Sequence, residues 1–90
     1  MIIENFIKQT PQLTIDVLRQ AFLNVTSDNI NLSQSFSDND IDDLDVIEIV
    51  MWIEKTIDIS INDEILENID KLPILLSQFR RDERINKILS

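Results

Sequence analysis

The sequence predicts a small all-α fold, and three observations carry that expectation. Apolar residues recur three and four apart in separate stretches of the chain. Residues suited to helix caps stand at the heads of those stretches. Ninety residues, 43% of them hydrophobic, are enough for one modest helical core.

The elements follow in order. Thr10 suits an N-cap and Pro11 the first helical position, which predicts a helix from there to about Asn24. Its buried stripe is Leu13, Val17, Leu18, Ala21, Phe22 and Val25. Residues 26–43 are polar, with scattered Ile30, Leu32, Phe36 and Ile41. They read as a long loop pinned by single apolar anchors, and a loop of that length in so small a domain is often functional. A second helix is predicted over 43–57. Leu44, Ile47, Val50, Met51, Ile53, Glu54 and Ile57 are spaced around it, Asp42 or Asp43 caps it, and Asp45 and Glu48 favour the positive end of its dipole. After the connection 58–61, Asn62 heads a short third helix at 63–68, with Ile65, Leu66 and Ile69 turned inward. Asp70 is the expected cap of a fourth helix with the stripe Leu72, Leu75, Leu76 and Phe79, where Pro73 is tolerated in the first turn.

The predicted core is Ile30, Phe36, Leu44, Val50, Ile53, Ile57, Ile61, Leu66, Ile69, Leu72, Leu76 and Phe79, faced by Val17, Leu18 and Phe22. Two ridges lie outside it. Ile2, Ile3, Phe6 and Ile7 form one. Ile85, Ile88 and Leu89 form the other, beyond the charged run 80–83 and on a different helical face from the stripe before it. One domain over 1–90 is therefore expected, with a core at about 11–79 and terminal extensions 1–10 and 80–90. The two ridges should meet each other in a monomer, or a second copy in a weak homodimer, because exposed they would form an apolar patch.

Composition narrows the chemistry. The chain lacks cysteine and histidine, which removes disulfides, thiolate metal sites and the commonest general base and metal ligand. It lacks glycine, and with it the glycine loops that cradle phosphates. No apolar run is long enough for a membrane span and no leader pattern is visible, so a soluble cytoplasmic protein is expected. The formal charge of −9 is unevenly spread. Residues 28–70 hold thirteen acids and one base, Lys55, whereas 71–90 hold five bases and two acids. An acidic middle repels nucleic acid and attracts a basic protein surface, although acids also serve simply to keep a small domain soluble.

The stretch 42–70 reads DDLDVIEIVMWIEKTIDISINDEILENID. It resembles acyl carrier proteins through their second and third helices. Residues 30–36 resemble the carrier loop with its phenylalanine anchor, here Phe36, and Ser60, Ile61, Asn62, Asp63 and Glu64 resemble the carrier turn Glu-Ile-Pro-Asp-Glu. The resemblance covers about 11–79 and implies an acyl-carrier-like four-helix bundle with a long first loop and a short third helix. Carriers have Asp-Ser-Leu where this chain has Asp42, Asp43 and Leu44. In them the serine hydroxyl bears the phosphopantetheine arm, so Asp43 marks a degenerate attachment position and no cofactor is expected. Asn39 and Asp40 replace the usual Leu-Gly pair, and Phe36 stands one residue nearer to position 43. The resemblance also implies a partner-binding face on the second helix, at Asp45, Ile47, Glu48, Met51 and Glu54, with Lys55 reversing a charge. The same residues can equally be solvated acids beside core residues. Trp52, the sole tryptophan, reads as a core filler before a contact.

Two other chemistries fit the residues less well. Asp38, Asp40 and Asp42 fit the first three ligand positions of a calcium loop, but Asp43, Asp45 and Ile49 then stand where glycine, an aliphatic residue and a bidentate glutamate are needed. No metal site is expected. Paired carboxylates can do acid–base work, but a small helical domain offers little pocket, and no catalytic residue or enzyme activity is expected. The chain thus reads as an acidic protein-interaction module for a partner with a basic surface, binding neither nucleic acid nor membrane. Two alternatives stand beside it: a true acyl or peptidyl carrier altered at its serine, and an immunity-type inhibitor of a basic toxin enzyme.

Overall fold

The computed structural model describes residues 2–79. Those residues are helical, without a strand. The α-helices are α1 (Ile2–Gln9), α2 (Ile15–Thr26), α3 (Asp43–Ile57) and α4 (Asp63–Leu66), followed by α5 at 72–79. Two 3-10 turns, Ser37–Asn39 and Ile69–Lys71, punctuate the long loop and the approach to α5. The expected all-α bundle with a short helix before the last one is what is found.

The first boundary departs from expectation. Thr10 and Pro11 do not open a helix. They lie between α1 and α2, and Thr14 caps α2 instead, with extended backbone and a hydroxyl that accepts from Val17 N–H at 3.2 Å. Thr10 is buried, and its carbonyl accepts the Leu13 N–H at 3.0 Å in a turn that delivers Leu13 to the interior at full burial. Two threonines here carry cap chemistry, and the turn that buries Leu13 leaves Thr14 to cap α2, with Asp16 in its first turn against the helix dipole.

Helix α2 packs on α3 and α1 packs on α4. The core gathers Leu13, Leu18, Ala21 and Phe22 with Phe36, Ile49, Val50 and Ile53. Ile61, Ile65, Ile69, Leu72 and Leu76 join from the second half of the chain, and Ile3 and Ile7 from α1. Of the N-terminal ridge, Ile3 and Ile7 are buried and Phe6 is half-buried, whereas Ile2 is 47% exposed, and Lys8 Nζ sits 5.2 Å from the Phe79 ring centre, a cation–π contact between α1 and α5. The C-terminal ridge, Ile85, Ile88 and Leu89, lies outside the described residues.

Most of the predicted core is buried or packed against it, with one clear exception. Leu44 is 70% exposed. At 100° per residue Leu44 and the fully buried Ile53 are 180° apart on α3, so a helix that buries Ile53 turns Leu44 outward. Trp52 and Ile57 are half-buried at the edge of the core.

Candidate functional site

The stretch from Ser27 to Asp58 is positioned by caps and by one polar hub. Asp42, in extended backbone, caps α3 by accepting the Asp45 N–H at 2.9 Å. Asp43 is the first residue of α3 and is exposed. Upstream, Asn39 binds the loop to itself. Its Oδ1 accepts from Asn31 N–H at 2.8 Å, and its Nδ2 donates to the carbonyls of Ser35 at 2.7 Å and Asn31 at 3.1 Å. Phe36 is fully buried, and its N–H donates to the Asp70 carbonyl at 2.8 Å. The Asp70 side chain, expected to cap α5, serves the loop instead, accepting from Ser37 N–H at 2.9 Å and from the Ser37 hydroxyl at 2.8 Å. A 3-10 turn, not a side-chain cap, leads into α5.

Beyond the cap, α3 presents two different apolar faces. Ile49, Val50 and Ile53 are buried. Leu44, Ile47 and Met51 are 70%, 50% and 49% exposed and follow the i, i+3, i+7 spacing of a single stripe. Exposed Asp43, Glu48 and Lys55 border that stripe, and Asp45 is half-buried at its side. Glu54 stands apart from the other four residues expected to bind a partner. Its Oε2 accepts from Ile61 N–H at 3.0 Å, tying the end of α3 to the connection before α4. Leu44 belongs to the exposed stripe though its sequence pattern placed it in the core. The spacing of 44, 47 and 51 carries the signal, but the sequence leaves open which of two apolar faces is buried.

Next to the cap, an open cleft of about 540 Å³ separates the end of α2 from the start of α3. It is lined in part by Phe22, Val25, Asp28, Asp40, Ile41 and Asp45. Three carboxylates and no base line it, so it favours cationic groups. Among the described residues no group of three acidic, histidine or cysteine side chains is placed to hold a metal ion.

A sequence profile described as the phosphopantetheine attachment site matches residues 16–72, more than half of the chain. The chain belongs to the phosphopantetheine attachment site family. Comparison with curated proteins and with solved structures gave no match. The all-helical bundle is the fold expected of this acyl-carrier-like family, and the matched span runs from α2 through the start of α5. Helix α1 lies outside that span and yet supplies two core residues. The family's prosthetic group requires a hydroxyl for its phosphodiester. The residues that open α3, from Asp42 to Val46, offer carboxylates and alkyl groups but no hydroxyl. Hydroxyls in the preceding loop are already engaged, Ser33 with Asn31 Oδ1 at 2.6 Å and Ser37 with Asp70, and no serine opens an α-helix among the described residues. The residues at this helix start do not fit the attachment of the group. No helix of the described residues is long and apolar enough to cross a membrane.

Proposed function

We propose that this chain is a non-enzymatic interaction domain built on the carrier fold, and that Asp43 occupies the attachment position without carrying the arm. One observation carries the reading. The stripe Leu44, Ile47 and Met51 is exposed on α3, bordered by Asp43, Asp45 and Glu48, and begins beside a residue that cannot form the phosphodiester. An apolar stripe with acids at its rim suits a partner whose docking site is apolar with a basic border. Carrier domains of this family are not themselves catalytic, which supports the non-enzymatic part of the reading. Glu54 takes the role of a tie to Ile61 and leaves recognition to Asp45, Ile47, Glu48 and Met51.

Two measurements test this. Intact-mass analysis after incubation with a phosphopantetheinyl transferase and coenzyme A should show no added mass on the wild-type chain. A single phosphopantetheine increment would return the chain to the ordinary carriers. For recognition, a partner isolated by capture on the immobilised chain should associate more slowly with the Asp45→Lys, Glu48→Lys variant, and more slowly at high salt. An unchanged association rate with intact circular dichroism would move the interface off α3.

A further inference from the structure

The two acids at the start of α3 have different roles. Asp42 is engaged by the helix, accepting the Asp45 N–H at 2.9 Å. Asp43 follows as the first helical residue and is exposed. Its side chain makes no hydrogen bond or ion pair among the described residues. The cap does not need the Asp43 carboxylate, which stands as a fixed negative charge beside Leu44, the head of the exposed stripe.

A family member that bears the arm presents an anion at the attachment position, because phosphopantetheine joined to a hydroxyl leaves a phosphodiester. A bare member presents a neutral hydroxyl there. A partner that closes over the arm-bearing form must meet the anion with a cation or with N–H donors, since an anion buried without them is costly. A carboxylate satisfies the same donors. A phosphopantetheinyl transferase makes the opposite demand. It brings the diphosphate of coenzyme A up to the hydroxyl, and a carboxylate in that place faces like charge. We infer that the Asp43 carboxylate stands in for the phosphodiester anion, so that α3 docks on enzymes acting on arm-bearing carriers and competes with those carriers. Exposed Glu48 and half-buried Asp45 extend the negative charge beside the stripe, and Leu44 and Ile47 supply apolar contact. The inference rests on the reading of α3 as the docking face and adds the class of partner to it.

Two purified probes test it, each assayed on its own carrier with the full chain added as inhibitor. One is a condensing enzyme that uses arm-bearing acyl carrier proteins, and the other is a phosphopantetheinyl transferase with coenzyme A. The chain should inhibit the condensing enzyme in competition with its loaded carrier and leave the transferase unaffected. Asp43→Asn keeps the side-chain shape and removes the charge. It should weaken inhibition roughly tenfold, the contribution of one charge-assisted hydrogen bond, with an unchanged circular dichroism spectrum. Asp43→Glu should retain inhibition. Equal inhibition by wild type and Asp43→Asn would overturn the inference, as would no inhibition of the condensing enzyme. Inhibition of the transferase instead would assign the chain to partners of bare carriers. If Asp45→Lys with Glu48→Lys abolishes inhibition while Asp43→Asn leaves it intact, α3 remains the docking face and only the role of Asp43 falls. If neither change matters, both readings fall.

Discussion

Ser27, Asp40 and Asp58 hold left-handed backbone at φ 63°, 62° and 54°, a conformation that costs a residue with a Cβ about 1–2 kcal/mol. Ser27 and Asp58 end α2 and α3, where the cap N–H reaches back to Leu23 and Glu54 carbonyls, and both are sites that glycine would fill in most helices. A chain without glycine leaves this strain in place. Asp tolerates the region better than Ser because its side chain can bond locally. Ser27→Gly should therefore raise stability by about 0.5–1 kcal/mol, read as an upward shift of the urea midpoint with an unchanged slope. A second prediction at this scale separates the two faces of α3. Ile49→Ala should cost about 2–5 kcal/mol, because a fully buried methyl branch leaves a cavity. Leu44→Ala should stay within about 0.5 kcal/mol of wild type. Comparable losses in urea unfolding would mean that Leu44 is buried after all.

At the level of the element, the long loop between α2 and α3 is held from outside. Ser37 gives both its N–H and its hydroxyl to the Asp70 carboxylate, thirty-three residues away, while Phe36 N–H bonds to the Asp70 backbone. Asp70→Ala should cost about 1–2 kcal/mol, the lower part of the range for charged hydrogen bonds because the site is exposed. Hydrogen exchange should speed up at the Ser37 amide and leave Phe36 protected, since the backbone bond survives. Equal acceleration at both would show that the loop detaches as a unit. The sequence carried much of this element. Its extent, the apolar anchors and the burial of Phe36 follow from isolated apolar residues in a polar run. The partner of Asp70 does not, because a carboxylate just before a helix reads locally as a cap, and only the approach of the loop offers it stronger donors.

Across the whole molecule, α1 is an addition to the family-matched span that the core depends on. Two buried isoleucines contribute about 3–6 kcal/mol between them before the entropy of ordering the helix. An isolated helix of eight residues is unstable in water, so α1 exists through its contact with α4. Deletion of residues 1–9 should lower the melting temperature by at least about 10 °C. A truncated chain that melts unchanged would mean that α1 is not part of the core. Charge acts at the same scale. Thirteen of the seventeen acids lie between residues 28 and 70, spread over the loop, α3, α4 and the turns beside them. Partner association should accordingly weaken as salt shortens the screening length to a few ångströms.

Apolar periodicity and local cap chemistry together settled the helical class, the bounds of α3 at Asp43 and Ile57, and the Asn62 cap of α4. Each depends on residues within a turn or two of each other, and local chemistry had no strong competitor there. The family resemblance likewise rested on a contiguous pattern and is matched over residues 16–72. Tertiary structure decided what two equal local signals left open. Thr10 and Thr14 both suit a cap, and burial of Leu13 between them selected Thr14. Helix α3 is apolar on more than one side, and the packing of α2 chose Ile49, Val50 and Ile53 for the interior. Leu44, Ile47 and Met51 were thereby left on the surface. A helix turns 100° per residue whatever its surroundings, so its sequence fixes which residues share a face, and only the neighbouring elements determine which face meets water.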